Sequence, residues 1–194
     1  MRGFQSLLMK KLMALIVALV MLPGCTGKRE EMDRVMGLRA ELLGSEGCSF
    51  TAHLTADYGD QIHEFTLYCE GRNNGDLGFR VEAPETIAGI TGRFQGKEGA
   101  LTFDDEVLAF PLLVDGQVTP VSGPWIFLRT LLGGYLTACG QEEEYLHLTI
   151  DDSYADDALQ LEIWLNEADV PIQGEIVYDG RRILTMKFEN FLIL

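Results

Sequence analysis

Four cysteines (Cys25, Cys48, Cys69, Cys139) and three histidines (His53, His63, His147) are the side chains of this 194-residue sequence best suited to nucleophilic, general-base or soft-metal chemistry. Their spacing supports none of these. The histidines fall in separate strand candidates with no ligand spacing, and no paired-cysteine metal motif, Gly-x-Ser-x-Gly elbow or phosphate-binding loop occurs. Asp151-Asp152-Ser153-Tyr154-Ala155-Asp156-Asp157 has the acidity of a calcium loop. It lacks the central glycine and the twelfth-position glutamate of an EF-hand, so it reads as an acidic connection. Glu142-Glu143-Glu144 reads as a solvated turn, and Arg181-Arg182 as surface beside a hairpin. The sequence thus predicts no enzyme, no cofactor and no metal site.

One cysteine has a clear chemical fate. Arg2, Lys10 and Lys11 precede Leu12–Leu22, an apolar run of eleven residues, and the run leads into Leu22-Pro23-Gly24-Cys25. A membrane-spanning helix needs roughly 20 such residues, whereas a secretory h-region needs ~7–15. The stretch resembles a bacterial lipoprotein signal ending in a lipobox. That resemblance implies cleavage before Cys25 and a diacylglyceryl thioether on its sulfur, with further acyl chains such as palmitate. Two or three chains hold a protein stably on a bilayer, at about 0.8 kcal/mol per buried methylene. Residues 1–24 are accordingly a signal peptide, 25–31 a lipidated cysteine and tether, and 32–194 one folded domain. The expected location is the extracytoplasmic side of the cell membrane.

Removing residues 1–24 takes away three basic residues and no acid. The remaining 170 residues hold 12 basic and 30 acidic side chains, a charge of −18 against −15 for the whole sequence. Such a chain is repelled by phosphate backbones and anionic headgroups, which excludes nucleic acid as a partner and leaves membrane attachment to the lipid.

The elements that would position these residues are mostly short strands. Glu30–Leu43 reads as an amphipathic helix with Met32, Val35, Met36 and Leu43 on one face, Leu38 and Leu42 beside them, and Gly44 as its stop. That face either packs on a sheet edge or lids an apolar space, with the methionines as its adaptable surface. From Cys48 the period becomes two. Cys48, Phe50, Ala52, Leu54 and Ala56 alternate with polar residues, Asp57-Tyr58-Gly59-Asp60 makes a turn, and His63, Phe65, Leu67 and Cys69 alternate again. A hairpin over that turn pairs residues whose numbers sum to 117, so Phe50 faces Leu67, Ala52 faces Phe65 and Cys48 faces Cys69. Opposed residues share a sheet face, which predicts a Cys48–Cys69 disulfide worth ~3 kcal/mol on the chain-entropy model. Cys139 is left as a small hydrophobe.

Further strands are expected at Leu77–Ala83, Ile90–Gly96, Ala100–Phe103, Glu106–Phe110, Leu112–Val114, Tyr135–Gln141, Tyr145–Ile150, Leu159–Asn166, Gln173–Tyr178 and Ile183–Phe191, with Asp179-Gly180 a hairpin turn. Pro84–Ile87 can make one helical turn. Trp125–Leu132 is the second helix, apolar all round but for Arg129, opened by Ser122 as N-cap and stopped by Gly133-Gly134. About ten strands and two helices fit a mainly β (α+β) fold. Two helices cannot cover so wide a flat sheet, so the economical form is a strongly curved, unclosed antiparallel half-barrel, with one helix before the sheet and an apolar one crossing it midway.

That order resembles the LolA/LolB/RseB-like outer-membrane lipoprotein carrier superfamily. The likeness rests on the N-terminal helix leading into the 48–70 hairpin, on Pro84–Gly92 (PETIAGITG), and on the central apolar helix with late hairpins such as Ile176–Met186 (IVYDGRRILTM). None of that family's functional residues matches a position here. The resemblance implies a non-catalytic protein with an apolar cavity for lipid or lipoprotein acyl chains, lined by Phe50, Phe65, Leu67, Trp125, Phe127, Leu128 and Leu131. The alternative is an envelope interaction module that docks and regulates another cell-surface protein, such as a cell-wall enzyme.

Overall fold

A computed structural model describes residues 26–57, 62–96, 98–103, 106–111, 113–114, 117–155 and 158–194, with side chains described at 29–57, 62–96, 99–102, 119–155 and 158–194. The expected signal peptide and Cys25 lie outside the described residues. The chain divides into two compact units, Met1–Glu30 and Glu31–Leu194, and the sheet belongs to the second. None of the described helices is long and apolar enough to cross a membrane.

Helix α1 (Thr26–Gly44) leads into β1 (Gly47–Asp57), β2 (Ile62–Arg72), β3 (Leu77–Ala83), β4 (Thr91–Gln95), β5 (Glu98–Phe103) and β6 (Glu106–Pro111). A 3-10 turn, Glu85–Ile87, separates β3 from β4. A two-stranded ribbon, β7 (Leu113–Val114) and β8 (Gln117–Val118), is followed by a second 3-10 turn, Pro120–Ser122, and helix α2 (Gly123–Gly133). Strands β9 (Tyr135–Glu142), β10 (Tyr145–Asp151), β11 (Gln160–Leu165), β12 (Pro171–Tyr178) and β13 (Arg181–Ile193) complete the chain.

Eleven strands form one sheet in the order β6-β5-β4-β3-β2-β1-β13-β12-β11-β10-β9, every described pairing antiparallel. The chain starts in the middle, meanders to one edge, crosses through α2 to the other edge, and meanders back until β13 pairs with β1. The ends β6 and β9 are not joined, so the barrel is unclosed.

The sheet must curve because one short helix touches so many strands. Trp125 of α2 stacks on Phe94 of β4, and the helix also contacts β2, β13, β12, β11 and β10. From β4 to β10 is seven strand steps, roughly 34 Å if flat, whereas an eleven-residue helix is only ~16 Å long. The sheet therefore wraps α2. Burial follows: β1 buries Cys48, Phe50, Ala52, Leu54 and Ala56 toward the helix and turns the alternate residues outward.

Four expectations need correction. The β1–β2 register sums to 119, so Cys48 faces Gly71, Phe50 faces Cys69 and Ala52 faces Leu67. Asp57 pairs with Ile62 instead of joining the turn. A slip of two residues keeps every side chain on its own face, so the inside–outside pattern fits both registers equally well. The cysteines lie on the same face but not opposite each other, and Cys48 and Cys69 are free, buried thiols instead of the expected disulfide. In α1 the face meeting the core is Val35, Leu38 and Leu42, while Met32, Met36 and Leu43 are exposed. The apolar stripe is wider than the contact, and the 35-38-42 edge of it wins. Ser122 does not cap α2. Its backbone is already helical, and its hydroxyl donates to the Thr119 carbonyl at 2.7 Å.

Candidate functional site

The residues expected to line a cavity are brought together, as a packed interior. Phe127 meets Phe188 at a ring-centroid distance of 4.4 Å and Phe50 at 6.0 Å, while Phe50 also stacks on Phe191 at 5.3 Å. Phe50, Leu67, Trp125, Phe127, Leu128 and Leu131 are all buried, and Phe65 is half-buried against the same cluster. Each large side chain so removed from water contributes about 1.5–3 kcal/mol.

Glycines let α2 approach this closely. A Cβ on Gly123 would stand 2.2 Å from Leu184 Cδ2, one on Gly71 2.3 Å from Leu128 Cδ2, and one on Gly174 3.2 Å from Phe188 Cε2. Leu128 thus seats in the notch that Gly71 leaves beside Cys48. Burial pushes the Cys48 thiol up to about 12, partly offset by a backbone hydrogen bond involving Gly71. Burial also holds the Cys69 thiol well above its ordinary value, with a smaller contribution from nearby Cys48. Neither is a nucleophile at neutral pH.

Helix α1 is fastened across one end of the sheet by two arginines. Arg34 Nε donates to Asp169 Oδ1 at 2.7 Å, and its Nη2 donates to the Asn166 carbonyl in the β11–β12 turn. Arg39 Nη2 donates to the Gly134 carbonyl at 3.0 Å, just past the C-terminus of α2, where a cation is favoured by the helix dipole. Burial lowers the Arg39 pKa from its ordinary value.

The outer face carries a polar cluster near the β9 edge that spacing alone did not reveal. His147 of β10 stacks on Trp164 of β11 at 4.6 Å. Its Nδ1 lies 3.4 Å from Glu142 Oε2, and its Nε2 lies 2.5 Å from Glu162 Oε2, out of line for a hydrogen bond. Trp164 Nε1 donates to Glu142 Oε2 at 3.0 Å, and Thr149 Oγ1 donates to Glu162 Oε2 at 2.9 Å. Because Gly140 pairs opposite His147, the sheet surface drops beside the imidazole. The result is a hollow of about 390 Å³ lined by Ala138, Cys139, Gly140, Gln141, Glu142 and His147. The cross-strand register that makes it could be found only by knowing which β9 residue faces His147.

The other two histidines stand elsewhere. His53 Nδ1 is 3.2 Å from Thr66 Oγ1 and its Nε2 3.4 Å from Glu189 Oε2, while His63 stacks near Phe65 at 6.4 Å. Among the described residues no three His, Cys, Asp or Glu side chains are grouped to hold a metal ion.

No protein-family model matches the chain, and no curated protein matches it. Solved structures resemble it in the course of the backbone. An uncharacterized conserved protein from Thermus thermophilus is 14% identical, covers 86% of each chain and has a TM-score of 0.45. A LolA superfamily protein from Nitrosomonas europaea is 6% identical over 82% of this chain and 93% of that one, with a TM-score of 0.43. A chain from the complex of the CwlD amidase of Clostridioides difficile with the GerS lipoprotein is 14% identical over 90% of this chain and all of that one, with a TM-score of 0.41.

Proposed function

We propose that this chain is a non-catalytic, lipid-anchored binding protein of the cell envelope that works by docking another envelope protein against its outer surface. The observation that carries this reading is the state of the interior. Phe50, Leu67, Trp125, Phe127, Leu128 and Leu131 are buried against one another, so the residues that would hold cargo already hold the fold together. What this leaves for recognition is the outside, where the hollow beside His147 opens. Anchorage rests on Cys25 and the lipobox before it.

Photo-crosslinking residues placed along the outer face of the full chain, in living cells, test the docking. Discrete adducts from some positions and none from others are expected; the absence of any adduct at every position would overturn it. Cys25→Ser is expected to abolish incorporation of a palmitate analogue and to release the protein from membranes.

A second reading keeps lipid as ligand. It is favoured by the all-round apolarity of α2 and by the row Trp125–Phe94–Phe79, stacked at 5.7 and 5.6 Å, which extends the apolar interior from α2 across β4 to β3. Native mass spectrometry of the purified full chain would then show lipid beyond the anchor itself. Protein carrying the anchor alone would rule it out.

A further inference from the structure

We infer that β9 is a docking strand, onto which a basic, extended segment of a partner protein adds as a twelfth strand of the sheet. This rests on the docking reading and names the place and the chemistry of the partner.

The sheet ends on β9, so one row of its backbone N–H and C=O groups has no partner strand among the described residues. Such edges pair readily with other chains, and proteins usually blunt them with proline, lysine or bulges. β6, at the opposite edge, ends on Pro111. β9 (YLTACGQE) has neither proline nor lysine. Its irregularity lies opposite Thr149/Ile150, near Thr137, after which Ala138–Glu142 runs in regular register with β10. The hollow over Gly140 lies within that regular run. An added strand would sit next to this space, which takes one large side chain; alternate side chains of such a strand give specificity while its backbone gives affinity.

Charge identifies the kind of segment. Residues 135–152 contain five carboxylates, Glu142, Glu143, Glu144, Asp151 and Asp152, and no lysine or arginine. They stand at the two ends of β9, because Glu142 closes the strand into its turn while Asp151 pairs with Tyr135. At the Tyr135 end, Tyr154 packs on Tyr135 at 3.7 Å and is 83% exposed, offering an aromatic surface beside the carboxylates. A fitting segment has a basic residue toward each end and a large apolar one between. A second copy of this chain is disfavoured, since its own acidic β9 would meet these carboxylates with like charge.

The probe is a blocked eight-residue peptide of alternating valine and threonine, with a central tryptophan and a lysine at each end. Its counterpart has glutamate for lysine. Saturating lysine peptide should slow native hydrogen exchange at Ala138–Glu142 of the full chain by about tenfold or more and leave β1, β12 and β13 unchanged. The glutamate peptide should have no effect. Gly140→Trp, whose Cβ meets nothing within 4 Å, should fill the hollow and abolish the slowing, with a melting temperature measured alongside to show that the fold is kept. The proposal is overturned by no slowing in β9, by slowing mapped to other strands, by equal effects of both peptides, or by slowing that grows with protein concentration in the absence of peptide. Crosslinks from outer-face positions away from β9, with β9 untouched by peptide, would sink strand addition and leave docking standing. Absence of crosslinks everywhere would remove the docking reading itself.

Discussion

The middle and the β9 edge of the same sheet are built by opposite rules. In the middle, β1 alternates buried and outward residues from Cys48 on, and α2 meets the sheet through aromatic rings such as Phe127 on Phe188 and through close approaches at Gly123 and Gly71. At the edge, β9 has no wholly buried residue, presents small side chains at Ala138 and Gly140, and leaves room above them. Space in the middle would cost stability, whereas at the edge it costs almost none. A molecule can therefore keep its recognition surface variable only where packing has stopped constraining it.

Substitutions can break this contrast. Phe127→Ala should have the largest effect, about 3–5 kcal/mol by chemical denaturation, because three rings of the cluster lose a partner. A loss under 1 kcal/mol would mean the centre is loosely filled after all. Raising pH should act on the same centre. Unfolded thiols lose their protons near 9.0, while buried Cys48 holds its proton to about 12. The proton is bound more tightly in the folded state, so stability is full below pH 9 and declines as pH climbs toward 12, on the order of a few kcal/mol. Denaturation midpoints measured across pH 8–11 check this, with Cys48→Ala expected to flatten the decline.

Gly123→Ala should cost ~1–3 kcal/mol, limited by how far the Leu184 tip can swing away. Arg34→Ala removes a pair that is only partly shielded, and a loss of ~0.5–1 kcal/mol is expected. Gly140→Ala should change stability by less than ~0.5 kcal/mol, because an added methyl meets nothing. If Gly123→Ala and Gly140→Ala cost the same, the contrast between centre and edge fails.

Much of the architecture was legible because it depends on local pattern. The Leu77–Ala83 strand has the bounds expected of it, and the Asp179-Gly180 signal is a tight turn whose two residues take positive φ of 49° and 69°. The apolar run at Trp125 is indeed a helix enclosed by sheet. Register was not legible, since moving β1 against β2 by two residues changes no residue's face, and the decision lies in whether Asp57 pairs or turns. The face of α1 was misjudged for a related reason. Met32 and Met36 are as apolar as Val35 and Leu38, and only the neighbouring elements choose between them. The hollow escaped detection because it is an absence, a glycine opposite a histidine, created by two strands whose alignment has to be known first.

The pairing of β13 with β1 has a consequence for biogenesis. The last of the described strands supplies the middle of the sheet, so β1 has one flank bare until every other strand of the sheet has been made. Contacts of such long sequence separation slow folding and lengthen the exposure of unpaired edges. Removing β13 would accordingly split the sheet in two rather than shorten its border.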